Sequence, residues 1–357
     1  MRRIKLTVAA AVTAAAAVGL AACSSGGSSA SSTSAKSSGT VEFTAFGGSG
    51  QQAEAEAWLQ PFEKSTGIKV TQDSPTDYAK VQQMVKAKHV IWDVVEAGTD
   101  YGLTGNSTLT NINCQVVSCS QFNGGEFKTL QQGVPLFVFA YTLAYNTNKF
   151  KGSAAPTSFA DIFNTKKYPG KRDVDASGDL QGLLEAALLA DGVPRDKLYP
   201  LDVNRALKKL DTIRSSLVFY QDAQQCINDV ESGNSVMGMC YNGRVTLAKS
   251  QGEPIDQTYN QQIQYTDYLM IPKGAPDEAN AQKLVAWITS AAHNGNISNY
   301  IAYAPANPKA TATGKYSAEV VTKHEGTGVQ APIKVDLPWW NANRSKLDET
   351  VGAWLAK

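Results

Sequence analysis

The chain has almost no charge imbalance: 33 Lys and Arg stand against 32 Asp and Glu, a formal net charge of +1. That leaves no electrostatic footprint for nucleic acid or for an anionic membrane surface. Histidine is scarce. His89, His293 and His324 show no ligand spacing, and the stretch HEGTG at 324 lacks the second histidine of a zinc-protease helix. There is no CxxC pair, so neither composition nor spacing supports a metal or another cofactor. The turn GGSGQ (47–51) lacks the second glycine that a nucleophile elbow needs. No internal repeat is present. These absences point away from nucleic-acid binding, metal chemistry and the common hydrolase motifs.

The N-terminus sets a compartment. Arg2, Arg3 and Lys5 precede an uncharged, Ala-rich run from Leu6 to Leu20. A bilayer span needs about 20 apolar residues, so this shorter run suits the core of a secretory signal peptide. It ends in Leu20-Ala21-Ala22-Cys23, which resembles a bacterial lipobox. The resemblance implies cleavage after residue 22 and lipidation of Cys23. Loss of the three basic residues takes the formal charge from +1 to −2. Residues 23–40 are Ser/Gly-rich without apolar periodicity, the composition of a flexible tether. The globular part is expected to begin near Val41.

Five cysteines are present. With Cys23 lipidated, Cys114, Cys119, Cys226 and Cys240 remain, an even number in an oxidising compartment. Three connectivities are open, and the local pairs Cys114–Cys119 and Cys226–Cys240 are the expectation.

Hydrophobic residues make up 43% of 357 residues, enough for two cores rather than one. VEFTAF, IKVTQDS and IWDVVEAG read as strands, with amphipathic helices at 51–66 and 77–88 between them. That alternation implies a parallel sheet wrapped by helices. The segment 134–150 reads as strands crossing between two domains. SFADIFN opens a helix capped by Ser158 with Asp161 three residues on. Further helices are expected at 180–190, over NRALKKLDTIRSS, over DEANAQKLVAWITSAA and in the tail. SVMGMCYNGR reads as a strand entering a loop, and YTDYLMIPKG as a strand returning to the first domain.

Seven stretches carry a family resemblance in order along the chain: PFEKSTGIKV, LAYNTNKF, TSFADIFNTKKYPGKR, YNGRVTLAKSQGEPID, YTDYLMIPKGAP, IAYAPANPKA and WWNANRSKL. They resemble the spermidine/putrescine-binding group of solute-binding receptors of ABC importers. The resemblance implies an α/β, two-lobed, periplasmic-binding-protein-like fold of type II, each lobe a sheet flanked by helices. Lobe 1 would comprise 41–143 plus 268–313, and lobe 2 144–267 plus 314–357. It also implies a monomeric receptor, not an enzyme, held to the outer face of the cell membrane by its lipid alone. Its partners would be a small amine-bearing solute, such as putrescine or spermidine, and the permease and ATPase subunits.

The same resemblance places the amine-binding carboxylate of the family on Asp267, beside Tyr265. Its other aromatic positions fall on Tyr241 and Tyr303. An ammonium out of water needs such an ionised partner, and aromatic faces cover its carbon chain. Two features depart from the polyamine pattern. The first turn holds Gly48 and Ser49 instead of aromatics, offering backbone N–H groups to an anion or carboxylate. Arg244 follows Tyr241 on the expected loop, an arrangement that resembles receptors for ω-amino acids such as 4-aminobutyrate. An arginine in the cleft favours that alternative, and one paired outside it favours the diamine. Asp179 is a candidate second carboxylate, with Asp175 competing. Ferric-ion receptors of similar fold use paired tyrosines, and no tandem pair stands in the matching region. A hydrolase on a lipid anchor is the remote alternative.

Overall fold

The computed structural model describes residues 38–98, 101, 105–176, 180–324 and 332–357. Cys23, the signal segment and Asp179 lie outside the described residues. Among the described residues no helix is long and apolar enough to cross a membrane.

Strands β1 (Thr40–Thr44), β2 (Lys69–Asp73) and β3 (Val94–Gly98) pair parallel, with β1 in the middle. The helices between them are those expected. The first runs through Gly48–Glu54, a five-residue π segment Ala55–Leu59 and Gln60–Thr66, and it ends at Gly67 in the left-handed conformation. Trp58, Leu59 and Phe62 are buried on its inner face.

At the other end β5 (Arg172–Asp175) pairs parallel with β6 (Leu217–Tyr220) and with β7 (Met237–Tyr241). Two long antiparallel strands join the ends: β4 (Gly133–Asn146) and β8 (Ile255–Met270). The order is β2-β1-β3-β8-β4-β7-β5-β6, a single hydrogen-bonded path. A sheet for each lobe is thus expected from the sequence, and in the structure the long strands fuse the two. Short strands β9 (Ala304–Pro305) and β10 (Ile333–Lys334) flank β4 and β8.

Two large apolar cores form. One gathers Phe43, Trp58, Phe62, Leu269 and Leu284; the other gathers Leu143, Leu184, Leu210, Met237 and Trp340. Strand β4 serves both, Phe137 and Phe139 in the first and Tyr141 and Leu143 in the second. Tyr241 and Tyr265 border both cores, which sets them on the floor between the halves.

Local expectations hold at several caps. Ser158 and Asp161 form a capping box on a short 3-10 turn, Phe159–Phe163. Ala281, Leu284, Val285 and Ile288 face inward on the helix Glu278–Thr289. Both local disulfides form, Cys114–Cys119 and Cys226–Cys240. One expectation fails. The segment after Tyr241 is not a loop but the helix Asn242–Ser250. Asn-Gly signals a turn because asparagine can bond its own backbone. Here the Asn242 side chain is taken by distant partners, accepting from Ala140 N–H and donating to the Ala302 carbonyl.

Candidate functional site

A cavity of about 790 Å³ opens between the two cores, over the middle of β4 and β8. That volume is in the range of small-molecule sites. Side chains alternate across a strand, and so Phe137, Phe139 and Tyr141 all face this space from β4. Register sets Tyr265 opposite Phe139 and Tyr241 opposite Tyr141. The result is a continuous aromatic wall. Phe139 stacks on Tyr265 at 5.8 Å, Tyr141 on Tyr241 at 4.5 Å, and Tyr303 lies 4.8 Å from Phe137.

One end of the wall is acidic. The Glu96 side chain comes from the middle of β3 and Asp267 from β8, opposite Gly98. Glu54 joins them from the last residue before the π segment. Glu96 lies within hydrogen-bonding reach of both Glu54 and Asp267. Burial pushes Glu54 up to about 8, with Arg244 opposing and Asp267 reinforcing the shift. Burial and then Glu54 hold Glu96 well above the usual carboxylate range. Like charges this close, away from water, cannot all ionise.

Arg244 faces this cluster from the first turn of Asn242–Ser250 and is only 6% exposed. Its Nη2 donates to the Gly47 carbonyl at 2.9 Å, and its Nη1 reaches Gln224 Oε1 at 3.3 Å and Ser49 Oγ at 3.5 Å. Ser49 Oγ in turn donates to Gln224 Oε1 at 2.9 Å. The glycines make room for it. A Cβ on Gly48 would meet Arg244 Nη1 at 2.6 Å, and one on Gly50 would meet Nη2 at 2.7 Å. The turn proposed for an anion therefore already holds a cation, with the Gly47 carbonyl turned toward it.

Each residue of YNGR has a separate physical task. Tyr241 enters the wall, and Asn242 ties β4 to Ala302. Gly243 lies under the Tyr303 ring, where a Cβ would come within 2.4 Å of Cε1. Arg244 crosses to the Gly47 turn.

At the other end of the wall sits Asp175. Tyr141 and Tyr241 both donate to its Oδ2, the latter at 3.0 Å, and the two phenols lie 2.6 Å apart. Asp175, the competitor to Asp179, lines the cavity.

The structure thus brings Asp267, Tyr265, Tyr241, Tyr303, Arg244 and Gly48 to one cavity, with Ser49 bonded to its edge. Sequence reasoning missed Glu54, Glu96, Phe137, Phe139 and Tyr141. The alternation Phe-Val-Phe-Ala-Tyr was a legible signal for the last three. Glu96 was signalled more weakly, as a lone acid inside an otherwise apolar strand. Glu54 had no signal, since an acid on a helix reads as a solvated face.

The cavity also holds carboxyls within hydrogen-bonding reach of one another, so geometry alone does not remove a hydrolase. Comparison with known proteins does. Residues 57–323 match the bacterial extracellular solute-binding protein family. The gamma-aminobutyric acid-binding protein of Pseudomonas aeruginosa is 28% identical over 333 residues, 90% of this chain and 92% of that one. The solved structure of a GABA receptor superposes with a TM-score of 0.77 at 33% identity, covering 89% of this chain and 98% of that one. Spermidine/putrescine-binding periplasmic protein 1 of Haemophilus influenzae is 23% identical, over 78% of this chain and 79% of that one. The polyamine-binding relative is thus the more distant, which corrects the subgroup read from the sequence, while the mixed α/β periplasmic-binding fold and the receptor class stand. The chain belongs to the bacterial extracellular solute-binding protein family, a family of binding receptors and not of enzymes.

Proposed function

We propose that the protein is the receptor of an ABC importer for a small ω-amino acid such as 4-aminobutyrate. The solute's ammonium sits at Asp267, its carboxylate at Arg244, and its carbon chain against Tyr241, Tyr265 and Tyr303. The observation that carries this reading is that Arg244 and Asp267 line the same cavity. A diamine has no use for a buried guanidinium, whereas a zwitterion needs both signs. The names of the two GABA-binding relatives support the same reading. Each aromatic face adds roughly 0.5–2 kcal/mol of cation–π attraction. Asp175 favours a second reading, a diamine stretched along the wall from Asp267, although both its phenol partners already satisfy it.

On this reading the halves close about β4 and β8 by hinge motion, and Cys23 carries the lipid that holds the receptor beside its permease. The test is calorimetric titration of 4-aminobutyrate and of putrescine into the protein and into Arg244→Ala. We expect 4-aminobutyrate to bind and to weaken by about 30-fold or more in Arg244→Ala. Putrescine binding that is unchanged or improved in that variant, with no response to 4-aminobutyrate in either protein, would sink the zwitterion reading.

A further inference from the structure

Three acids face one arginine at the amine end of the cavity, which is more negative charge than a single ammonium requires. Glu54 is 1% exposed, Glu96 is 4% exposed, and both point into the cavity. Glu54 Oε2 is buried and receives no hydrogen bond from any donor among the described residues. Glu96 Oε2 has one long backbone contact, from Phe46 N–H at 3.4 Å. A carboxyl within reach of a second carboxyl forms a hydrogen bond only if one of them keeps its proton. The row Glu54, Glu96, Asp267 has two such contacts. With two protons it carries one negative charge, which Arg244 balances.

We propose that this row is a proton-exchanging seat selective for a primary ammonium: the solute's three N–H donors replace protons shared among the carboxyls, and about one proton leaves to solvent. The inference rests on the reading that an ammonium enters at Asp267. The step balances. The R–NH3+ group arrives with its N–H bonds intact. One carboxyl O–H bond breaks, its electron pair stays on oxygen, and the proton passes to buffer base. At the row one positive charge enters and one leaves, so row and ammonium together keep one negative charge, while the solute's carboxylate neutralises Arg244 and the released proton carries the balancing positive charge to solvent. An ammonium has three donors directed apart and the row offers three carboxyls, including the oxygen without a donor. A quaternary ammonium has no N–H to offer.

The upward displacement of Glu54 and Glu96, caused first by burial, agrees with carboxyls that keep protons near neutrality. The titratable groups facing them are Arg244 from Asn242–Ser250, Asp267 from β8 and Tyr303 from the loop before β9, with Tyr241 beyond Asp267. Both tyrosines are held above their usual range by burial and so stay neutral.

The experiment is calorimetric titration of 4-aminobutyrate near neutral pH in phosphate and in Tris, whose ionisation heats differ, repeated between about pH 6 and about pH 8. The solute's own two groups do not titrate in that window. We expect release of about one proton and a Kd that falls by up to about tenfold per pH unit. Glu54→Gln should release less and flatten the slope. 4-(Trimethylammonio)butyrate should bind at least about tenfold more weakly, having lost the charged N–H contacts. Tight binding of 4-aminobutyrate with no proton release and a flat Kd would overturn this inference and leave the proposed function standing. So would equal affinity for the trimethylated solute. Should Glu54→Gln fail to fold, the proton count of the parent protein decides alone. If neither 4-aminobutyrate nor putrescine bound at any pH, inference and reading would fall together.

Discussion

Gly50→Ala separates the fold from the site with a single methyl. Gly50 lies in the first turn of Gly48–Glu54, and alanine suits its backbone, unlike Gly48, whose φ of +60° disfavours any side chain. In a helix the change to alanine is worth up to about 1 kcal/mol. The new Cβ, however, would stand 2.7 Å from Arg244 Nη2 and 3.2 Å from its Cζ. Ordinary contact begins at about 3.4 Å, so the guanidinium must move, and a flexible side-chain end moves more readily than backbone. The move breaks the 2.9 Å bond to the Gly47 carbonyl. A hydrogen bond from a charged donor contributes about 1.5–3 kcal/mol, which outweighs the helix gain. The unliganded protein should therefore lose about 0.5–2 kcal/mol in denaturant titration. Affinity for 4-aminobutyrate should fall by about tenfold or more, because the guanidinium no longer points where the carboxylate arrives. In an Arg244→Ala background the penalty disappears, and Gly50→Ala should be neutral or stabilising by roughly 0.4–1 kcal/mol. Parent-like affinity in Gly50→Ala, or the same destabilisation in both backgrounds, would refute the cradle.

Asp267→Asn keeps the shape but removes a charge partner, so binding of the best solute should weaken by about 30-fold or more in calorimetry; parent-like affinity would make Asp267 a strand-end charge. Burial raises Glu54 from its usual 4.5 to about 8. A raised acid stabilises the fold fully below the unfolded value and loses that contribution as pH rises to the folded one. The unliganded protein should therefore lose up to about 1.4 kcal/mol per pH unit between these values, and Glu54→Gln should flatten the denaturation profile. The disulfide Cys226–Cys240 spans 14 residues of sequence, and replacing both cysteines by alanine should cost about 3 kcal/mol by the chain-entropy relation. Cys23→Ala should shift the protein from the membrane fraction to the medium or leave it unprocessed, and unchanged retention would reveal another anchor.

Periodicity and punctuation sufficed for much of the fold. Strand–helix–strand–helix–strand from β1 to β3 followed from alternating apolar periods, and the helix Glu278–Thr289 from its inward stripe. The local cysteine pairs needed only an even count and short separations. These features depend on neighbours in sequence, and so one chain carries their signal. The ordered motifs gave the receptor class, and with it Asp267, Tyr241, Tyr265, Tyr303 and Arg244 as residues of one cleft. Folding decided what depends on distant segments. Asn242 became helical because its side chain found partners on Ala140 and Ala302, which local turn chemistry does not contain. The glycines of the first turn read as a seat for an anion, but Arg244, 194 positions from Gly50, lies across them. Glu54, Glu96 and Asp267 come from three elements, and although the family resemblance placed Asp267 in the cleft, nothing local in the sequence joins Glu54 and Glu96 to it. Only the pairing of β3 with β8, and the packing of the first helix beside them, turns three ordinary acids into one row, Glu54 and Glu96 buried and Asp267 half-buried, in which carboxyls keep protons. Burial and proximity are properties of the folded state, and they decide the charge of that site.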